Sequence, residues 1–153
     1  MADEILYSND PDETFAFGER LGATLRGGDV ILLTGGLGAG KTLLTKGIVQ
    51  SLGYDVDEVT SPSFSLVNLY KTDEQNIYHI DLWRIDERSN AGFAVGLDEI
   101  LEDPQAIVII EWAERLGGYE LPPQTISIEL EGDGDEARKI TVTRQEQISS
   151  NSV

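Results

Sequence analysis

Apolar positions along this chain recur with two different periods, and the changes of period mark out its elements. Glu4 to Tyr7 suits a short first strand. Ser8, Asn9 and Asp10 then offer capping side chains, Pro11 fits a first helical position, and Asp12 and Glu13 add acid to the first turn. Phe17, Leu21 and Leu25 follow at four-residue spacing, which predicts an apolar stripe down a helix of about four turns, stopped by Gly27 and Gly28. Asp29 to Thr34 reads as a strand built on Val30, Ile31, Leu32 and Leu33. Leu44, Ile48 and Leu52 mark the buried face of a second helix, which opens at Lys41 and ends at Gly53.

Asp55 to Thr60 is a polar connector. Ser65 to Tyr70 and Ile77 to Trp83 read as two strands joined by a hairpin-like loop, Lys71 to Asn76. Residues 84–104 are mixed and partly helical, broken at Gly92 and Gly96. Ala106 to Ile110 is an unbroken apolar run, the pattern of a central strand buried on both faces, and it ends in Glu111 and Trp112. After the break at Pro122 and Pro123, Thr125 to Leu130 and Lys139 to Arg144 form a second hairpin across Gly132, Asp133, Gly134 and Asp135. No internal repeat or domain boundary appears. From Gln145 the chain is polar, as frayed tails are.

Between the first long apolar strand and the second helix stands Gly35-Gly36-Leu37-Gly38-Ala39-Gly40-Lys41-Thr42. Strand, glycine-rich turn and helix is the setting in which G-x-x-x-x-G-K-T acts as a phosphate-binding loop. Glycines let successive backbone N–H groups turn inward on a polyphosphate with no Cβ in the way. The helix that starts at Lys41 points its positive end at the same anion. Lys41 would reach the β- and γ-phosphates, and the Thr42 hydroxyl would be a ligand for Mg²⁺. A nucleoside triphosphate is the expected ligand. The expected fold is α/β: a P-loop NTPase-like mixed sheet with a parallel core, antiparallel additions and helices on both faces. One P-loop ATPase domain would span residues 1–144, with 145–153 as a tail.

Composition narrows the setting. At 153 residues and 40% hydrophobic content the chain suits one soluble core. No apolar run approaches the ~20 residues of a membrane span, and Met1-Ala2-Asp3-Glu4 is acidic where a secretory leader is basic. There is no cysteine, which removes disulfides and thiolate metal sites and fits a cytoplasmic location. The formal net charge of −17 repels phosphodiester backbones, so any RNA in this protein's pathway should be held by another protein. Solubility, or a salty cytosol, would explain the same excess of acid.

Hydrolysis of a γ-phosphate needs a metal held by the protein and a group that positions water. In open α/β sheets ligands gather beyond the carboxyl ends of strands. Glu111 closes the buried strand and is the foremost candidate for a Mg²⁺ carboxylate, whether in direct contact or one layer behind. Asp81 lies near the end of the 77–82 strand, beside His79 by period-two alternation, although an ion pair with Arg84 would also account for it. His79, the only histidine, reads as a hydrogen-bonded structural group and not as a base. Thr60, Ser61 and Ser63 surround a stiffening proline, and such a loop either closes on the γ-phosphate as a switch or is an ordinary turn.

Taken together, Gly36-Leu37-Gly38-Ala39-Gly40-Lys41-Thr42, Thr60-Ser61-Pro62-Ser63-Phe64, His79-Ile80-Asp81-Leu82-Trp83-Arg84 and Glu111-Trp112-Ala113-Glu114-Arg115 resemble the bacterial TsaE (YjeE) family. The family pattern runs phosphate loop, T-S-P-T-[FY], H-x-D-x-Y-R and E-W, and the likeness spans residues 10–130 in the same order. Ser63 replaces the usual Thr and keeps the hydroxyl; Trp83 replaces the usual Tyr and keeps an aromatic ring but no phenol. The resemblance implies a weak ATPase that serves synthesis of threonylcarbamoyladenosine at position 37 of transfer RNA. It would act with partners TsaD and TsaB and meet the RNA only through them. It further implies that Thr42 and Glu111 ligate Mg²⁺, that Leu37 to Thr42 wrap the phosphates of ATP, and that Asp81 assists hydrolysis. Trp112 would belong to a nucleotide-responsive or partner-facing surface.

Rival readings share the loop. A small kinase usually converges several arginines on the transferred group, and between the loop and Glu111 there are only Arg84 and Arg88. A GTPase would carry an N-K-x-D guanine-reading sequence, which is missing. An ATP-dependent scaffold, in which binding and not cleavage matters, has the same sequence signature. No motif reads the base; groups near Ser8 to Pro11 or on the C-terminal hairpin are the candidates to cover it.

Overall fold

The computed structural model describes residues 2–36, 38–59, 66–83, 85, 90–91 and 95–144. Among them seven strands form one sheet: β1 (Ala2–Ser8), β2 (Val30–Thr34), β3 (Val67–Lys71), β4 (Asn76–Asp81), β5 (Ala106–Glu111), β6 (Ile126–Glu131) and β7 (Arg138–Arg144). The helices are α1 (Pro11–Gly22), α2 (Lys41–Ser51) and the short α3 (Leu97–Leu101), with 3₁₀ turns at Val56–Glu58 and Ala113–Leu116. The strand order is β1-β7-β6-β2-β5-β4-β3. Parallel pairing joins β2 to β5 and β6, and β4 to β5; β1–β7, β6–β7 and β3–β4 are antiparallel. A parallel core with antiparallel additions is therefore the architecture.

Side-chain alternation sorts the core into two layers. Ile31, Leu33, Ile107 and Ile109 face α1 and α2, where Phe17, Leu21, Leu44 and Ile48 meet them. Val30, Val108, Ile110 and Ile80 face the other way, onto Leu97 and Ala113. Helices thus cover both faces, and every residue of β5 is buried, as its unbroken apolar run requires.

Local boundaries depart from the periodic reading where tertiary partners decide them. β1 extends to Ala2–Ser8 because β7 supplies a pairing residue at each position, from Ala2 opposite Arg144 to Ser8 opposite Arg138. Lys71 and Asn76 pair with each other and belong to strands, so the connecting loop shrinks to residues 72–75, closed by Thr72 Oγ1 accepting from Gln75 N. β4 ends at Asp81, whose Oδ1 accepts from Trp83 N and turns the chain out of the sheet. The helical part of 84–104 is Leu97–Leu101; residues 84, 86–89 and 92–94, and the tail from Gln145, lie outside the described residues.

α1 opens as its sequence indicates. Asp10 Oδ1 accepts from Glu13 N, and Glu13 Oε1 reaches back to accept from Asn9 N, with Pro11 at the first helical position. It stops sooner than the four-turn stripe predicts. The helix ends at Gly22 and Leu25 is buried from the turn beyond it. The last turn tightens, with Thr24 N donating to Leu21 O and Leu25 N to Gly22 O, and α2 lies close by: a Cβ on Gly22 would lie 2.0 Å from Ser51 Oγ and 2.6 Å from Ile48 O. Thr24 covers the end by donating from Oγ1 to Leu21 O. No described helix is long and apolar enough to cross a membrane.

The same helix pair depends on a second near-contact. A Cβ on Gly47 would stand 2.2 Å from Phe15 O, and one on Gly18 2.4 Å from Leu44 O, so backbone meets backbone where α1 crosses α2. Gly47→Ala gains helix propensity of about 1 kcal/mol but overpacks the crossing at a cost of about 1–3 kcal/mol or more. A net loss in stability is the expected outcome. At roughly 2–4 °C per kcal/mol for a chain of this size, thermal unfolding should show a lowered midpoint, whereas an unchanged or raised midpoint would disprove the tight crossing.

Candidate functional site

Register builds the site. β5 lies between β2 and β4, with Glu111 opposite Leu33 on one side and Asp81 on the other. The carboxyl ends of three parallel strands therefore finish together. β2 runs from Thr34 straight into the glycine-rich loop, and that loop opens α2 at the same edge. Gly35, Gly38 and Gly40 have φ of 143°, 79° and 107°, values that side-chain-bearing residues rarely adopt. At Gly35 a Cβ would also lie 2.5 Å from Leu130 O. Gly40 is the N-cap of α2, no side chain caps that end, and the positive end of the helix points into the loop.

A cleft of about 460 Å³ opens there, lined by Gly38, Gly40, Lys41, Thr42, Leu43, Asp81, Trp83, Glu111 and Trp112. Lys41 is 6% exposed. Its Nζ donates to the carbonyls of Gly35 at 2.7 Å and Gly36 at 2.8 Å, and lies 4.4 Å from the centre of the Trp112 ring. Burial lowers the pKa of the Lys41 ammonium, against the pull of Glu111, Glu114 and Asp81. The lysine thus closes the loop upon itself, and an anionic ligand would have to draw it away from two carbonyls.

Trp112, next to Glu111, has φ 59°, and its ring centre lies 4.4 Å from that of Trp83, tilted by 45°; Trp83 is 42% exposed. Glu111 is 3% exposed, and its Oε2 lies 2.5 Å from Nε2 of the fully buried His79. His79 Nδ1 in turn lies 3.1 Å from the Tyr70 hydroxyl. Asp81 is half-buried. Burial pushes its carboxyl pKa up, the bond from Trp83 N lowers it, and the charge of Glu111 raises it further.

The fold accordingly brings Lys41, Thr42, Asp81, Glu111 and Trp112 to one cleft with Gly38 and Gly40, while Ala39 is buried behind the loop. Leu37, Thr60, Ser61 and Ser63 lie outside the described residues, as do Arg84 and Arg88. Two features escaped sequence reasoning. One is the bond between His79 and Glu111, which only strand register reveals. The other is Arg138, which lies beyond Glu111 in the chain: its Nη2 donates to Gly38 O at 3.1 Å and Gly134 O at 3.0 Å, tying the β6–β7 hairpin to the glycine loop. A second cavity of about 460 Å³ continues from Gly38, Ala39 and Gly40 between Asn9, Asp10, Thr14, Glu136 and Arg138. It lies at the Ser8 to Pro11 segment and C-terminal hairpin anticipated above.

Chemically, the cleft offers one ammonium, one hydroxyl and two carboxylates around a helix N-terminus. Those hard oxygen donors suit Mg²⁺, which typically takes one or two protein ligands and completes its shell from phosphates and water. Among the described residues no group of three or more His, Asp or Glu forms a metal cage of its own.

Residues 8–140 match the family model described as "Threonylcarbamoyl adenosine biosynthesis protein TsaE". The chain is 36% identical over 133 residues to the tRNA threonylcarbamoyladenosine biosynthesis protein TsaE of Bacillus subtilis (strain 168), covering 87% of this chain and 80% of that protein. It is 36% identical over 135 residues to its namesake in Treponema pallidum (strain Nichols), covering 88% and 96%. The crystal structure of Bacillus subtilis YdiB is similar with a TM-score of 0.74 and 32% identity, over 95% of this chain and 87% of that one.

The raised Asp81 pKa carries a sign. A carboxyl that ionises less readily folded than unfolded costs stability as pH rises through its native pKa, and costs nothing below the unfolded value. Asp81→Asn keeps an oxygen to accept from Trp83 N and removes that cost. Thermal melts of the ligand-free protein should place the variant above wild type at neutral pH, with the gap narrowing as pH falls into the ordinary carboxylate range. A gap that widens on acidification would contradict the assignment.

Proposed function

The chain belongs to the TsaE family, proteins of threonylcarbamoyladenosine biosynthesis in transfer RNA, and on that footing we propose that it is an ATPase. It binds MgATP at the glycine loop and hydrolyses it slowly, in support of modification at position 37 of transfer RNA. It works in the cytoplasm with TsaD and TsaB, which hold the RNA. The observation that carries this reading is the convergence of Lys41, Thr42 and Glu111 on one cleft at the uncapped start of α2.

In this reading the β- and γ-phosphates lie along residues 38–42, taking the N–H groups of the loop and the first turn of α2. Lys41 leaves the Gly35 and Gly36 carbonyls for phosphate oxygens, which also lifts it from the Trp112 ring. The Thr42 hydroxyl and the Glu111 carboxylate would hold magnesium, which would supply counter-charge to the phosphates. Asp81, in register beside Glu111, orients the attacking water. The adenosine end enters the cavity between Asn9, Thr14 and Glu136. A surface of net charge −17 repels RNA and so agrees with contact through partners only.

Purified protein should release phosphate slowly from MgATP and faster with the TsaD–TsaB pair. Lys41→Ala and Glu111→Ala should each lower that rate by about a hundredfold or more. Displacement of Lys41 from Trp112 predicts a change in tryptophan fluorescence on binding, absent in Lys41→Ala. Transfer of phosphate to a metabolite in place of water would establish a kinase instead. Full function in cells from a variant that binds ATP without cleaving it would establish a scaffold.

A further inference from the structure

The chemistry above uses Glu111 and leaves the two groups behind it unexplained. Asn68 Nδ2 donates to the Tyr70 hydroxyl at 3.4 Å, that hydroxyl lies 3.1 Å from His79 Nδ1, and His79 Nε2 lies 2.5 Å from Glu111 Oε2. Tyr70, His79 and Glu111 are 3%, 0% and 3% exposed. Register makes the row: His79 stands opposite Asn68 and Ile109, so Tyr70 and Glu111 are its same-face diagonal neighbours on β3 and β5. Burial requires both ring nitrogens to be bonded, and one of the two partners is the carboxylate that lines the cleft.

The polarity of the row follows from its ends. A buried carboxylate needs a donor, so Nε2 carries the imidazole proton toward Oε2. Nδ1 is then an acceptor, and the Tyr70 hydroxyl supplies its proton. We propose that His79 is the positioning residue of Glu111. Its Nε2–H fixes the rotation of the carboxylate, reserving Oε1 for the cleft beside Thr42, and Tyr70 holds the imidazole in the tautomer that makes this possible. The inference rests on the reading of Glu111 as the acid that serves the magnesium of the bound triphosphate. Groups that orient a metal-binding carboxylate in this way typically contribute about 10- to 100-fold in metal affinity.

The test is calorimetric titration with the ATP analogue adenylyl imidodiphosphate, with and without Mg²⁺, on wild type, His79→Leu, His79→Gln and Tyr70→Phe. Wild type should bind more tightly with magnesium. His79→Leu should lose about 10- to 100-fold of that gain while its metal-free affinity is kept. His79→Gln, whose amide Nε2–H stands where the imidazole Nε2–H stood, should recover most of it. His79 is the only histidine, so one ¹⁵N spectrum reads the tautomer without ambiguity: Nε2 protonated and Nδ1 bare in wild type, with Nδ1–H gaining population in Tyr70→Phe.

A wild-type affinity indifferent to magnesium overturns the reading of Glu111 on which this rests. A normal wild-type response that His79→Leu retains in full, or loses equally with and without metal, overturns the positioning role alone. Should His79→Leu not fold, an Nδ1–H tautomer in wild type, or a magnesium response lost in His79→Gln, overturns it equally.

Discussion

Parallel pairing of β2 with β5 is the constraint from which the rest follows. It sets Leu33 opposite Glu111, one residue short of the strand end that feeds the glycine loop. Pairing of β5 with β4 then adds Asp81 on the far side. A slip by one residue in either pairing would turn Glu111 to the opposite face of the sheet, away from Lys41 and α2. The continuous burial of β5 forbids such a slip only weakly, because both of its faces are apolar. Specification comes from its neighbours. β2 packs Ile31 and Leu33 under the helix pair, and β4 places His79 Nε2 against Glu111 Oε2.

Electrostatics at the cleft are a balance between desolvation and neighbouring charge. Lys41 is the one cation that lines it among the described residues, facing Glu111 and Asp81 in a protein of net charge −17. Burial lowers its pKa while the surrounding acids raise it, and for Asp81 burial and Glu111 act together. Both groups are thus held in forms less stable than water would offer them. A ligand that brings phosphate charge together with a divalent cation relieves both, since it gives the ammonium an anion and the carboxylates a counter-ion. Neither phosphate nor cation alone does so.

Much of this arrangement was legible in the sequence. Glycine spacing, the preceding apolar strand and the following helix pointed to the loop, and the unbroken run 106–110 pointed to a central strand ending in Glu111. What was not legible depended on distance along the chain. His79 and Glu111 are 32 residues apart, and Arg138 and Gly38 are 100 apart, so no local period relates them. Part of a signal for His79 was present nonetheless: a histidine two residues before a strand-end acid shares its face, but which strand lies beside it is set by register alone.

Trp112 shows how the strand end is enforced. Its φ of 59° is unusual for a residue with a side chain and carries a strain of about 1–3 kcal/mol. Backbone in that region cannot continue a strand, so the chain reverses out of the sheet immediately after Glu111 and begins the turn Ala113–Leu116. Two properties are consequently superimposed at a single position, a hinge angle and an indole. Glycine there would keep the angle at ease and delete the indole, whereas alanine would delete the indole and leave the angle under load. Comparing the pair separates the geometry of this corner from the aromatic surface it displays.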